Sequence, residues 1–343
     1  MVHEDEFYSS NNTTGIHYVE HTPAIKPEFS MVILHGIGQC SGCFDELANF
    51  LTDNGVVVFA MDFIGHGKSV SENQKPMYFG ENGWDFLVKD LVIMNKIVKD
   101  KYPNIPCYIM GFSMGSFVLR TALAEHANEL DVDGAIIAGT GSIAAPVAKL
   151  VKLMIASEAK KCGGADVVSE KVNALAFGNY NKHFAPCKTE CDWLIKNPEL
   201  RQEYIDDPKT YKYVTPGMFG DLIGGMARVS KKSAIKNTKR IPLLFQFGLE
   251  DPVGGFGKAV RKLADEFRAN GFKATSRSYA NSRHDIFHDN DQEKVYMDLL
   301  VWMQQNVASN LIWDSCLLGF RKAVFLCPKI DKKTAEKTNE KSG

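Results

Sequence analysis

The feature that most restricts this chain is the pentapeptide Gly111-Phe112-Ser113-Met114-Gly115, which directly follows the apolar run Cys107–Phe112 and directly precedes a helical pattern. A G-x-S-x-G turn between a buried strand and a helix holds its serine at strained backbone angles. It also needs small residues on either side so that strand and helix can approach. The hydroxyl is thereby lifted above the sheet edge, beside a helix N-terminus. Glycines flanking a serine arise often by chance, so the neighbouring elements must carry the reading.

They alternate. Residues 5–20 read as a hairpin with its turn at Asn11–Gly15, and Met31–Gly36 and Val56–Phe63 are apolar runs of the buried-strand kind. Trp84–Lys101 has apolar residues at helical spacing. The strand ending at the serine is followed by a helix over 116–130 and a strand at Gly134–Gly141. After Pro242–Gly248 come a helix at Gly257–Asn270, a strand at Phe272–Tyr279 and a helix at Gln292–Val307. This predicts an α/β fold, a mostly parallel central sheet with helices on both faces. Between 145 and 238 no strand pattern occurs, which predicts an inserted helical cap, with the core formed by 1–144 and 239–308. An apolar extension (309–330) and a lysine-rich, polar tail (331–343), expected to be disordered, complete the chain.

A serine hydroxyl attacks only when an imidazole takes its proton, and the imidazole needs a carboxylate to fix its tautomer. In this architecture the chain order is Ser, acid, His. Asp251 follows the strand Pro242–Gly248 at the sheet's carboxyl edge, with Glu250 as its local competitor. His284 comes first after the last strand pattern, and His288 already lies in the approach to the final helix, so His284 is the expected base. A tetrahedral intermediate needs two backbone donors. Met114, after the nucleophile, supplies one; Ile37, in His35-Gly36-Ile37-Gly38 after an earlier strand, is expected to supply the other. His35 is expected to order that loop.

These pieces resemble the monoacylglycerol lipase and lysophospholipase-like branch of the α/β-hydrolases, often labelled serine aminopeptidase-like. The matching segments are His35–Gly38, Met61–Ser69, Gly111–Gly115, Gly248–Val253 and Ser282–Asp285, and the similarity runs from about 8 to 305. It implies an α/β-hydrolase fold, catalytic roles for Ser113, Asp251 and His284, and oxyanion roles for Ile37 and Met114. In the family a histidine usually precedes the serine and a glycine follows the last elbow glycine; here Phe112 and Ser116 stand there. Gln39-Cys40 replaces an acidic residue and a histidine.

The expected activity is hydrolysis of a carboxylic ester through an acyl-enzyme, on monoacylglycerol-like or lysophospholipid-like substrates. A peptidase or amidase on the same residues is the alternative, and a non-catalytic binding protein is a third reading. Val147, Leu150, Val151 and Met154 form one apolar stripe of the cap. Met218, Phe219, Leu222, Ile223 and Met226 form another. Either they line an acyl tunnel above Ser113, with Phe112 beside it, or they pack the cap on the core. Candidate substrate-binding residues are therefore Phe112, Val147, Val151, Met154, Met218, Phe219, Leu222 and Met226.

Composition adds exclusions. With 40 basic and 41 acidic side chains, a net charge of −1 gives no reason for a nucleic-acid partner. The acidic N-terminus does not read as a secretory signal and no stretch is apolar enough to span a bilayer, so a cytoplasmic location is expected. The pairs Cys40/Cys43 and Cys187/Cys191 are read as packing rather than as zinc ligands, and no metal or cofactor is expected. The extension at 311–330 could pack on the core, mediate dimerisation or rest on a membrane surface.

Overall fold

The structure, a computed structural model, describes residues 1–72 and 74–311, with side chains described as far as Asn306. Eight strands form one sheet: β1 (Val2–Tyr8), β2 (Gly15–His21), β3 (Phe29–Leu34), β4 (Val56–Met61), β5 (Cys107–Phe112), β6 (Gly134–Ala138), β7 (Leu243–Gly248) and β8 (Ala274–Tyr279). Their order is β1-β2-β4-β3-β5-β6-β7-β8, antiparallel at the β1–β2–β4 end and parallel from β4 to β8. The core helices are α1 (Asp45–Asp53), α2 (Gly83–Lys101), α3 (Met114–Glu125), α9 (Lys258–Ala269) and α10 (Gln292–Leu311). Between β6 and β7 lie α4 (Ala145–Cys162), α5 (Glu170–Phe177), α6 (Pro198–Asp206), α7 (Pro216–Val229) and α8 (Lys232–Asn237).

Side chains alternate across the sheet as the pleat requires. Val32 and Leu34 of β3, with Val57, Phe59 and Met61 of β4, face the core shared with α2, α3 and α9. Met31 and Ile33, with Val56, Val58 and Ala60, face the core shared with α1 and α10. Both faces are covered, which is why these strands read as unbroken apolar runs rather than as alternating ones. Because β4 lies on one side of β3 and β5 on the other, the loops leaving β3 and β5 diverge. This switch point is where an open α/β sheet forms its crevice.

Element boundaries shift slightly from the sequence reading. The hairpin is longer, and its turn is held by Asn11 Oδ1, which accepts from the amides of Thr13 and Thr14. β3 ends at Leu34, because His35 and Gly36 already turn out of the sheet. α3 begins at Met114 inside the pentapeptide and ends at Glu125. No helix among the described residues is long and apolar enough to cross a membrane. The expectations for 312–343, including a membrane-surface or dimer contact, lie outside the described residues.

The inserted helices are anchored to the core by α7. Gly225 sits against the Trp84 indole of α2: a Cβ there would fall 2.1 Å from the ring. Buried Arg120 of α3 donates to the Gly141 carbonyl, where the insertion leaves the core, and to the Val229 carbonyl, where α7 ends. Gly225→Ala should therefore overpack this joint and cost about 1–3 kcal/mol. Thermal melts of the variant should show a lowered midpoint; an unchanged midpoint would mean that the indole is not locked there.

Candidate active site

Ser113 sits at the β5–α3 turn with φ 49° and ψ −113°, a conformation costing about 1–3 kcal/mol for a residue with a Cβ. The surrounding contacts hold it. Its amide donates to the Ala138 carbonyl (3.0 Å), and the Gly115 amide to the His35 carbonyl (3.2 Å). A Cβ on Gly111 would lie 2.4 Å from the Gly115 carbonyl oxygen, and one on Gly115 would lie 2.3 Å from that of Leu34. Ser116 also stabilises the turn, since its hydroxyl donates to the Ser113 carbonyl at 2.6 Å.

The loop after β8 brings His284 to the serine, with Nε2 2.8 Å from Ser113 Oγ and Nδ1 3.0 Å from Asp251 Oδ1. Asp251 is fully buried after β7, and its Oδ1 also accepts from the Val253 amide. Glu250, its sequence neighbour, instead pairs with Lys196 and Arg283. His288 is far from competing for the serine's proton, because both its nitrogens are engaged, Nδ1 with Asp285 at 3.0 Å and Nε2 with the Cys43 carbonyl at 2.7 Å. Burial disfavours charge on this ring, but Asp285 and the Cys43 carbonyl outweigh it and hold its pKa at about 9.

The loop after β3 carries Ile37 beside Ser113 at the same cavity. Among the described residues, neither the Ile37 nor the Met114 amide donates to another backbone group. Two buried histidines support the loop. His35 Nδ1–H donates to the Gly36 carbonyl and Nε2 accepts from the Phe63 amide; His66 Nδ1–H donates to the Ile64 carbonyl and Nε2 accepts from Gly38. Burial lowers both pKa values, that of His66 to about 3, so both rings act as neutral brackets. Gln39 ties this loop to the histidine loop: its Oε1 accepts from the Gly36 amide and its Nε2 donates to Asp285.

A cavity of about 70 Å³ opens over Ser113, lined by Ile37, Phe112, Trp193, Leu194, Tyr204 and Tyr211, with Phe177, Gln39, Cys191, Glu190 and Lys212 completing the wall. Phe112 and Trp193 pack against His284 at ring separations of 5.2 and 5.3 Å. Of the substrate-binding residues expected from sequence, only Phe112 lines this cavity. Met218, Phe219 and Leu222 are buried in the core contact of α7, and Met226 is half-buried against it. On α4 the face turned inward is Ala148, Val151 and Ile155, while Val147 and Met154 are each 50% exposed. Both faces of that helix are apolar, so periodicity alone picked the wrong one. The aromatics between 177 and 211 were missed because they lie in short helices and loops with no period; their density was the available signal.

The four cysteines of the two sequence pairs do not converge: among the described residues no group of three or more His, Cys, Asp or Glu could hold a metal.

A family model for the serine aminopeptidases, S33, matches residues 25–291. The chain belongs to this family. A monoacylglycerol lipase of Mycolicibacterium smegmatis is 22% identical over 82% of the chain and 90% of its own length. The monoglyceride lipase of Rattus norvegicus is 34% identical over 30% of the chain, and the homolog from monkeypox virus 35% over 31%. These matches span about a third of those two relatives' lengths, 33% and 37%. Among solved structures, a thermostable carboxyl esterase from Bacillus coagulans, in complex with glycerol, superimposes with a TM-score of 0.82 at 23% identity, covering 89% of this chain and 99% of that one. A monoglyceride lipase variant from Saccharomyces cerevisiae gives 0.65 at 18%, covering 89% and 94%. The α/β-hydrolase fold of this S33 member is thus shared at low identity.

The His288 pairing has a pH signature. Its folded pKa of about 9 lies above the ~6.5 of an unfolded histidine, so its stabilisation is complete below the lower value and is lost as pH rises through the higher. Melting midpoints of wild type and His288→Ala should differ most near pH 6 and converge toward pH 10. A gap that stays constant with pH would contradict a charged His288.

Proposed function

We propose that the chain is a serine carboxylic ester hydrolase acting on monoacylglycerol-like esters, a single acyl chain on a small polar alcohol. The observation that carries this reading is the hydrogen-bonded series Ser113–His284–Asp251 beneath a mostly apolar cavity. Ser113 Oγ attacks the ester carbonyl as His284 Nε2 takes its proton, while Asp251 holds Nδ1–H and stabilises the imidazolium. The oxyanion is received by the amides of Ile37 and Met114. Collapse expels the alcohol, which receives the proton from His284. Water then repeats the sequence on the acyl-serine.

The apolar lining favours an acyl group, and the monoacylglycerol lipase name of the Mycolicibacterium relative agrees with it. Lysophospholipid-like esters fit less well, because among the described residues Lys212 is the only lysine or arginine in the lining that could meet a phosphate. An amidase would draw on Glu190 to bind a free amine, but Lys212 in the same wall offsets that charge. The volume of about 70 Å³ suits a short acyl segment, and a longer chain requires the side chains of the wall to move.

Ser113→Ala and His284→Ala should each reduce turnover of p-nitrophenyl butyrate by ~10⁴-fold or more, and a fluorophosphonate should label wild type but not Ser113→Ala. Labelling that survives in that variant would remove Ser113 from the mechanism.

In a series of acyl esters, kcat/KM should rise about fourfold per methylene, from ~0.8 kcal/mol of burial each, and level off near the medium chain lengths. Leu194→Ala should move the plateau to longer chains. Flat rates from acetyl to decanoyl, or an aminoacyl amide cleaved faster than every ester, would defeat the lipase-like reading.

A further inference from the structure

The segment Cys40-Ser41-Gly42-Cys43 joins the loop after β3 to α1, and the mechanism above gives its thiols no task. Both are free, and their sulfurs lie 3.7 Å apart. Cys40 caps a short 3₁₀ turn, Ser41–Phe44, that runs straight into α1. In such a turn residues three apart eclipse, which stacks one thiol on the other. The Cys40 amide donates to Cys43 Sγ and the Cys43 amide to the Cys40 carbonyl, so the turn holds the sulfurs together. Among the described residues no other two sulfurs are in hydrogen-bond contact. Cys107, Cys162 and Cys187 instead bond backbone or amide groups.

The pair is also reachable. Cys40 is almost covered, but it borders a cavity of about 490 Å³ between the β1–β2 hairpin and α1, shared with His21, Ser41, Lys68 and Lys209. A molecule as small as hydrogen peroxide fits there many times over. Of the two, Cys40 is the one that borders this cavity, so it is the thiol that peroxide meets first, and Cys43, 3.7 Å away, is the resolving thiol; their contact lowers the Cys40 thiol and raises that of Cys43.

We propose that Cys40 and Cys43 form a redox modification site that hydrogen peroxide closes to a disulfide, and that closure slows turnover at Ser113. The Cys40 thiolate attacks one peroxide oxygen; an S–O bond forms, the O–O bond breaks, and the departing hydroxide leaves as water after taking a proton. Cys43 sulfur then attacks the Cys40 sulfenic acid; an S–S bond forms, the S–O bond breaks, and a second water carries off the Cys43 proton. Two thiols are oxidised by two electrons and one peroxide is reduced to two waters.

Closure must bring the sulfurs from 3.7 Å to about 2.05 Å, and the part of that approach that side-chain rotation does not supply falls on the backbone of the turn. On one side is Gln39, which holds the Gly36 amide next to Ile37 and grips Asp285. On the other, the Cys43 carbonyl accepts from His288. The pull therefore reaches both the loop that carries an oxyanion donor and the loop that carries His284. The effect on rate rests on the hydrolase reading; the disulfide itself does not.

The full chain, reduced with a phosphine and freed of it, is exposed to hydrogen peroxide, alkylated with iodoacetamide and digested for mass spectrometry. The expected product is a peptide with Cys40 bridged to Cys43 and unalkylated. In parallel, p-nitrophenyl butyrate turnover should fall at least about tenfold and return with dithiothreitol. Cys40→Ser and Cys43→Ser, reduced, should keep the wild-type rate, and neither should show the reversible fall. Alkylation of both cysteines after peroxide, or a bridge between other cysteines, overturns the site. A bridged protein that turns over at the reduced rate overturns the coupling. Reduced protein that hydrolyses no ester defeats the hydrolase reading, while the mass measurement still decides the disulfide.

Discussion

The close approach of the β5–α3 turn to β3 is the contact on which the rest of the site depends. Gly115 packs on the Leu34 and His35 carbonyls with no room for a Cβ, and its amide bonds to His35. That contact keeps Ser113 in a backbone conformation it would otherwise leave, and it places the serine next to the loop that carries Ile37. Strain of this kind persists only where the surroundings over-determine it. Here the Ala138 carbonyl on β6 supplies a third restraint, so three adjacent parallel strands hold one residue.

The inserted segment adds to that restraint. The Leu194 carbonyl accepts from the Asp285 amide, and Asp289 accepts from the amides of Arg283, Lys196 and Asn197. Trp193, next to these bonds, packs on the His284 ring. The stretch from Asp192 to Asn197 therefore builds the histidine loop while it roofs the cavity. A buried amide without a partner costs about 1–3 kcal/mol, so breaking any single bond of this seam is unfavourable.

Charge is distributed around the site by the same bonds. His35 and His66 are buried against backbone groups and stay neutral, which suits brackets that sit behind the loop carrying Ile37. His288, only four residues from His284, has a carboxylate at one nitrogen and a carbonyl at the other, and so holds its proton. The buried rings of His35 and His66 and that of His288 are thus held in opposite states by what each nitrogen touches.

Much of this protein was legible in its residues. Parallel strands covered on both faces must be apolar throughout, and the spacing of glycines around Ser113 has few other uses, so the alternating core and the positions of Ser113, Asp251 and His284 along it could be read locally. The paired thiols of Cys40 and Cys43 were visible too, but their separation was not. For the apolar stripes between 145 and 238 the residues left two uses open, a tunnel wall or packing on the core. Helical period shows that a face is apolar; it does not show which of two apolar faces on α4 meets α7, nor that the stripe on α7 is consumed by Trp84 and the core. The cavity wall is drawn from Phe177, Trp193, Leu194, Tyr204 and Tyr211, residues brought together by loops with no repeat. Patterns set by backbone geometry recur along the chain and can be read from it, whereas contacts between distant segments depend on how complete elements pack, and only the tertiary structure decided those.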